Sequence, residues 1–485
     1  MRFLASKGVI AALIVTLFAV LGWLLWRRFT RRAAIRTVRR FRARIDRFKL
    51  TRKQYITEAL LSDAAIATAV RAHAANQQLP PAAVWRTVRA YVDEIVPVFS
   101  VLAYYQFGLA LSRAVLTLFW KVDVAHVRRA SFVELPRESI VIHLMNHRSN
   151  ADYVLAGYAL AGQVAISYAV GEWARVFPLE SLFKTFGAYF IRRRYREPLY
   201  HAVLERYVHL VTRNGVTQGI FPEGGLSRDG RFRPAKVGLL DYVLGVAREP
   251  GFAERLYVVP VALNYDRVLE DRSLLRELRV AEGERPPGRF AQSREVTSYV
   301  LWNAWRILAR RWKRYGQAAV VIGEPVALAP WFARLERAGR GLFTLERHER
   351  LGEVQRLVDD VMRRVGEIMP VTPVPLVCAA IQTFDAEFIV EDALLERVRE
   401  MRDVLLHHAR RVSHADEDVK ETLERAFALL HLRRVITREG TGYLVLPRGR
   451  ELISFYANSI AHLLGEFEAA VRARDALPVH AVVDA

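Results

Sequence analysis

The chain has 485 residues, 52% of them hydrophobic, which is enough for more than one packed core. A formal charge of +21 calls for an anionic partner: nucleic acid, a lipid surface, or an acidic substrate or carrier protein. With Cys378 as its one cysteine, the chain can form neither an intrachain disulfide nor a cysteine-based zinc cluster, which fits a reducing compartment.

The first element is an uncharged run, GVIAALIVTLFAVLGWLLW from Gly8 to Trp26, long enough to cross a hydrocarbon core as a helix. It is long for a signal peptide and no small-x-small cleavage site follows, so the expectation is a retained N-terminal membrane anchor. Arg27 to Lys49 then carries eleven basic residues against one acid, Asp46, whereas only Arg2 and Lys7 precede the run. The positive-inside rule therefore puts the bulk of the chain on the cytoplasmic face, in a bacterium at the inner membrane. Phe29, Ala34, Val38, Phe41, Ile45 and Phe48 line up as an apolar stripe on this arginine-rich segment, a helix suited to anionic lipid. A solvated helix, or one docked on the protein itself, is the alternative; the adjoining anchor argues against nucleic acid as the partner.

Residues 50–130 read as helical, broken at Pro80-Pro81. Ile95 to Ser112 is free of charge, and suits a buried core helix, a helix dipping into one leaflet, or a second span. From 131 to 335 short apolar runs (SIVIHL, VAISYAV, AYFIRR, VTQGIFP, LYVVPVAL, AAVVIG) alternate with helical stretches, which predicts an α/β domain with a mostly parallel sheet covered by helices. Residues 336–485 read as helical again. The expected organisation is thus anchor and basic helix (1–49), N-terminal helical region (50–130), catalytic α/β domain (131–335) and C-terminal helical region (336–485).

The site begins where SIVIHLMN ends. His147 and Asp152 are five positions apart, about 140° around an ideal helix, so they meet only if the segment turns between them. A strand ending at Asn146, a cap at Ser149 or Asn150 and a helix through ADYVLAGYALAG would bring them together. A carboxylate on one imidazole nitrogen fixes the tautomer that leaves the other free to take a hydroxyl proton. No nucleophile elbow accompanies the pair, so the economical chemistry is direct attack by a substrate alcohol on an activated acyl group. Further along, GAYFIRRRYREP delivers Arg192, Arg193, Arg194 and Arg196 beyond a probable strand, where guanidinium groups suit a phosphate or remain a solvated strand end. GIFPEGGLSRDGR then places Glu223, Gly224, Ser227 and Arg228 in a tight turn without the P-loop pattern of nucleoside triphosphatases. Last comes LYVVPVALNYDRVLE, a buried strand carrying Pro260.

In order, NHRSNAD, GAYFIRR, FPEGGLSRDGR and VVPVALNYDRV resemble the four blocks of the glycerolipid acyltransferases with an HxxxxD motif, most closely the glycerol-3-phosphate branch that includes the dihydroxyacetone-phosphate acyltransferases. The resemblance spans about His143 to Glu270 and resumes at MPVTPVPLV and ISFYANSIAHLL. It implies the glycerolipid acyltransferase fold and transfer of a fatty acyl group from acyl-CoA or acyl-acyl carrier protein to the sn-1 hydroxyl of glycerol 3-phosphate, giving lysophosphatidic acid. It implies His147 as general base and Asp152 as its orienting partner, and Arg192 and Arg193 as holders of the acceptor phosphate. Glu223, Gly224, Ser227 and Arg228 would complete the acceptor site, and Pro260 would shape the pocket toward the donor. No metal or cofactor is implied.

Two departures bear on the acceptor. Leu226 stands where the branch commonly has an arginine, and FPEG resembles the 1-acylglycerol-3-phosphate acyltransferases, so the acceptor is a glycerol phosphate with or without one acyl chain. A non-catalytic membrane-tethering scaffold and an acyl-thioester hydrolase are the readings from other classes.

Overall fold

The computed structural model describes residues 53–97, 108–161, 166–171, 184, 188–192, 195, 197–284, 309, 312–465 and 467. The expected anchor, the basic segment after it and residues 98–107 of the apolar stretch Ile95–Ser112 lie outside them; among the described residues no helix is long and apolar enough to cross a membrane. The chain divides into two compact units, one of residues 1–113 with 160–204, the other of 114–159 with 205–485.

In the first unit, helices Lys53–Leu61, Ala64–Gln77 and Pro81–Ile95 form an α-helical layer. Asp63 caps the second by accepting from the backbone of Ala65 and Ile66, and Pro81 opens the third at a position that needs no N–H donor. Val84, Val88, Tyr91, Val92 and Ile95 form the buried stripe of that third helix. The unit also holds two parallel strands, here β3 (Ser167–Gly171) and β4 (Tyr189–Ile191).

The second unit is built on a sheet of β1 (Lys121–His126), β2 (Ile140–Met145), β5 (Gln218–Ile220), β6 (Leu256–Tyr265), β7 (Gln317–Ile322) and β8 (Val326–Ala327). Its order is β1-β7-β6-β2-β5, with β8 against β6. β2 is parallel to both β5 and β6, and β1 is parallel to β7, while β6 runs antiparallel to β7 and β8, so the sheet is mostly parallel. All six residues of β2 are buried, as expected of a central strand covered on both faces. The expected strands are present. β1, however, interrupts the stretch read as helical, because KVDVAH is too short and polar to carry a strand signal and gains its identity from pairing with β7.

Pro260 sits in the middle of β6, paired in register with Leu144. On its other side β8 pairs with Tyr257 and Val258 and β7 begins at Val261, so the proline occupies the gap between two partners, where its missing N–H costs no ladder bond. Its carbonyl accepts from Gly323 N at 2.8 Å.

The C-terminal stretch is not wholly helical. Helices Pro373–Gln382, Glu391–His407 and Val419–Leu432 accompany a small antiparallel sheet of β9 (Phe388–Val390), β10 (Ile436–Glu439) and β11 (Gly442–Val445). Helix Arg450–Ala457 then packs against helices Pro373–Gln382 and Asp271–Ala281. A buried charge fastens it: Asp271 takes two bonds from the Arg433 guanidinium, at 2.6 and 2.8 Å, and one from Tyr456 Oη at 2.6 Å. Arg433→Ala would leave that carboxylate buried without its cation, and should lower the unfolding free energy by about 3–5 kcal/mol in urea titration.

Candidate active site

β2 ends at Met145, and Asn146 continues its ladder with a side chain. Nδ2 donates to Leu263 O at 2.9 Å and Oδ1 accepts from Leu263 N at 2.8 Å, as a backbone unit would. The chain is then free to turn, and helix Asp152–Leu160 starts five residues after His147.

Inside this turn Asp152 is the acceptor of four donors. Oδ2 takes His147 Nδ1 at 2.9 Å, Arg148 N at 2.6 Å and Ser149 N at 3.0 Å; Oδ1 takes Tyr265 Oη at 2.6 Å. The carboxylate is wholly buried and the imidazole 1% exposed. A carboxylate oxygen only accepts, so Nδ1 carries the proton and Nε2 holds a lone pair for an incoming hydroxyl. Burial, with the adjacent Asp152 charge, holds the Tyr265 phenol well above its ordinary range, so it remains a donor. Phe221 stacks on the imidazole at 4.3 Å and Tyr153 meets it edge-on at 5.4 Å, which fixes the ring plane.

The third motif closes over the same turn. Glu223 Oε1 accepts from His147 N at 2.8 Å and Oε2 from Arg233 N at 3.0 Å, while Ser227 N donates to His147 O at 3.1 Å. Gly224 has φ +65°, a left-handed backbone conformation that glycine adopts without strain. Ser227 Oγ is engaged inside the loop with Arg231 O at 2.6 Å. Arg228 is partly exposed and pairs with Glu277 at 3.1 Å.

The structure therefore brings together His147, Asp152, Glu223, Gly224 and Ser227. Arg192 lies in the first unit, where Nε and Nη2 bond both oxygens of Glu94 at 2.9 and 2.6 Å and Tyr195 underlies the guanidinium at 4.8 Å. Arg193 lies outside the described residues. Leu226 contributes its carbonyl, which accepts from Arg233 Nη1 at 3.3 Å.

Several residues of the site escaped sequence reasoning. Arg148, inside the first motif, is 4% exposed; it donates to Gly230 O at 2.8 Å and stands 5.4 Å from the Phe455 ring. Its adjacency to His147 was the available signal. Glu270 accepts from Ser149 Oγ at 2.7 Å and Asn150 N at 3.2 Å, holding the far side of the turn. Tyr265 had no signal beyond its place at the end of β6. Asp266, next to it, accepts from Gln317 N and Val374 N at 2.7 and 2.9 Å, and burial pushes its carboxyl up to about 6.

Nothing among the described residues groups three metal-ligating side chains. The arrangement provides a buried base of fixed tautomer, able to deprotonate an alcohol or water.

Residues 128–264 match the acyltransferase family model, and residues 295–467 match that of the glycerol-3-phosphate acyltransferase C-terminal region. A protein of Xylella fastidiosa strain M12 named glycerol-3-phosphate acyltransferase is 26% identical over 434 residues, covering 88% of this chain and 48% of that protein. One of the same name from Actinobacillus succinogenes is 28% identical over 362 residues, 72% of this chain and 42% of that protein. The chain thus spans about half the length of the curated relatives it matches. The crystal structure of the 1-acyl-sn-glycerophosphate acyltransferase of Thermotoga maritima aligns with a TM-score of 0.32 at 19% identity, over 54% of this chain and 79% of that one.

Burial pushes Glu223 from 4.5 up to about 7, outweighing the two backbone N–H donors and the Arg148 cation that favour its charge. Between those values the folded chain keeps a proton that the unfolded chain has released, so stability is full below pH 4.5 and falls as pH rises to 7. This contribution amounts to about 3 kcal/mol. Urea midpoints at pH 5 and pH 7.5 should show a larger decline in the native chain than in Glu223→Gln, where the raised Asp266 carboxyl still contributes its own.

Proposed function

We propose that this chain, which belongs to the HxxxxD glycerolipid acyltransferases, moves a fatty acyl group from a thioester donor to the sn-1 hydroxyl of glycerol 3-phosphate. The observation that carries the reading is the four-donor Asp152 carboxylate, which holds the His147 tautomer with Nε2 unprotonated. An acceptor hydroxyl gives its proton to Nε2, and its oxygen forms the new bond to the thioester carbonyl carbon. Collapse of the tetrahedral adduct breaks the C–S bond, and the thiolate takes the proton back from the imidazolium. Atoms balance as ester plus thiol, with His147 restored and no acyl-enzyme formed.

Arg192 and Arg193 are the proposed phosphate holders of the acceptor, with Arg228 in support. For Arg192 this requires that a phosphate share or replace the Glu94 carboxylate, which guanidinium geometry allows. The working surface in this reading is a bilayer, with Gly8 to Trp26 as anchor and the basic segment after it on anionic lipid. Dihydroxyacetone phosphate and 1-acylglycerol 3-phosphate are the acceptors to compare, the latter because of FPEG and Leu226.

Thiol release from palmitoyl-CoA and from palmitoyl-acyl carrier protein, with each acceptor and with none, checks the proposal. Release should require glycerol 3-phosphate, and His147→Ala should reduce it about 10²–10⁴-fold. Asp152→Asn, which removes the negative charge that orients the imidazole, should reduce kcat about 10⁴-fold. Acceptor-independent release would make the chain a thioesterase, and activity in His147→Ala would remove the mechanism.

A further inference from the structure

Arg148 directly follows the base His147, yet the acyl-transfer chemistry gives its side chain nothing to do. The residue is 4% exposed, and of its guanidinium nitrogens only Nη1 finds an acceptor, Gly230 O at 2.8 Å. Nε and Nη2 are buried and meet no acceptor from the protein among the described residues. A buried cation is costly unless its donors are bonded, and buried N–H groups in general are bonded. Whatever satisfies Arg148 therefore acts at the catalytic turn.

The one direct bond ends on a rigid point. Gly230 has φ +90°, and a Cβ there would lie 1.9 Å from Phe455 O, so its carbonyl is pressed against helix Arg450–Ala457. The guanidinium also stands 5.4 Å from the Phe455 ring, which leaves the side chain little freedom to seek another partner. Arg148 lines a small cavity of about 10 Å³, whose wall includes the polar groups of Asn146, Glu223, Ser227 and Ser459 and the apolar side chains of Phe232 and Met369. That volume is about the least that admits a single water molecule.

The chemistry of the wall decides what fits. Each Glu223 oxygen takes one backbone donor, from His147 N or Arg233 N, and keeps a second lone pair. Ser459 Oγ donates to Tyr456 O at 2.6 Å and receives only a long bond from Asn264 Nδ2 at 3.4 Å, so it too can accept. Arg148 supplies donors and these groups supply acceptors, which is the set of partners a buried water needs. An anion would face the Glu223 carboxylate, a metal cation would face the guanidinium, and only an apolar cavity stays dry.

We propose that this cavity binds one ordered water that joins the Arg148 guanidinium to the Glu223 carboxylate, and that Arg148 is thereby a positioning residue for His147. Glu223 Oε1 holds the His147 backbone N–H at 2.8 Å, so the water carries the pull of the cation onto the base. The kinetic side of the proposal rests on the acyl-transfer reading above, whereas the water does not. The Arg148 charge also favours the ionised form of Glu223 against burial. Asp152, Tyr265 and Tyr456 face the guanidinium from the motif helix, β6 and helix Arg450–Ala457, Arg233 N bonds Glu223 from its own loop, and His462 feels the Arg148 charge from the far end of the chain. A protonated Glu223 would keep one good acceptor oxygen for the two amides it now holds, which would loosen the turn.

Two experiments test it: a crystal structure of the native chain grown in bromide, at a resolution that shows ordered water, and the pH dependence of kcat for Arg148→Met, Arg148→Lys and Ser459→Ala. The structure should show a water within about 3.2 Å of Arg148 Nε or Nη2 and of a Glu223 oxygen. A dry cavity, a bromide peak in it, or a water that does not reach Glu223 would overturn the site. Arg148→Met should lower kcat about 10²-fold, as a misplaced base does, and leave the KM values for glycerol 3-phosphate and palmitoyl-CoA within about twofold. It should also move the acid limb of the profile to higher pH, since removing a cation raises the proton affinity of its neighbours, and Arg148→Lys should bring the limb back toward its native position. Ser459→Ala takes away one partner of the water from outside the turn; it should move the limb the same way by less, and it serves if the Arg148 variants fail to fold. A residue that only packs would lower the melting temperature and leave the limb where it is, and that result would overturn the positioning role. The water in place in a chain without acyl transfer would uphold the site and sink the transferase, while full transfer by a chain whose cavity is dry would do the reverse.

Discussion

A buried carboxylate must find donors for its lone pairs, and in this protein the demands of Asp152 organise everything around the motif. Taking such a charge out of water costs several kcal/mol unless the bonds are complete. Asp152 completes them with two backbone amides of its own turn, the imidazole it serves and a phenol from β6. The amides dictate the turn, since Arg148 N and Ser149 N reach one oxygen only if the chain doubles back before the helix. The phenol dictates that β6 lie beside β2, which Asn146 secures by bonding both backbone groups of Leu263. The imidazole is then left with one protonation pattern.

The C-terminal region takes part in this core. Asp266 receives the amide of Val374, Asn264 donates to Pro370 O at 2.9 Å, and Val268 N donates to Tyr456 Oη at 3.1 Å. Asn458 donates to Asp229 O at 2.8 Å, and Gly230 packs so closely on Phe455 that a Cβ would lie 1.9 Å from its carbonyl oxygen. Helix Arg450–Ala457 therefore spans from the third-motif loop to the start of helix Asp271–Ala281. Two segments far apart in sequence, 128–264 and 295–467, match separate family models, and these bonds are the physical reason they work as one unit.

Charge is distributed by the same logic. Arg148, deep in the site, bonds the Gly230 carbonyl and lies near an aromatic face, and burial lowers its proton affinity while the surrounding carboxylates and phenols restore part of it. Arg433 is fixed by Asp271. The cations that remain near water, Arg434 and Arg448 among them, are those able to meet an anion from solution.

Much of the architecture was legible in the residues alone. Apolar runs of strand length announced β2, β3, β4, β5, β6 and β7, and four ordered blocks pointed to His147, Asp152, Glu223 and Gly224, because periodicity and short-range spacing are local properties. The roles of Arg148, Tyr265 and Glu270, the strand character of KVDVAH and the engagement of Arg192 with Glu94 were not legible. Each depends on a partner from about eighty to two hundred residues away, and no local pattern encodes which distant donor will meet which acceptor. The sequence by itself determined which residues were candidates for the chemistry and that a turn must join His147 to Asp152; only the tertiary structure decided which way the imidazole is oriented against Asp152 and which arginines are engaged by carboxylates. Those outcomes follow from satisfying buried charges in three dimensions.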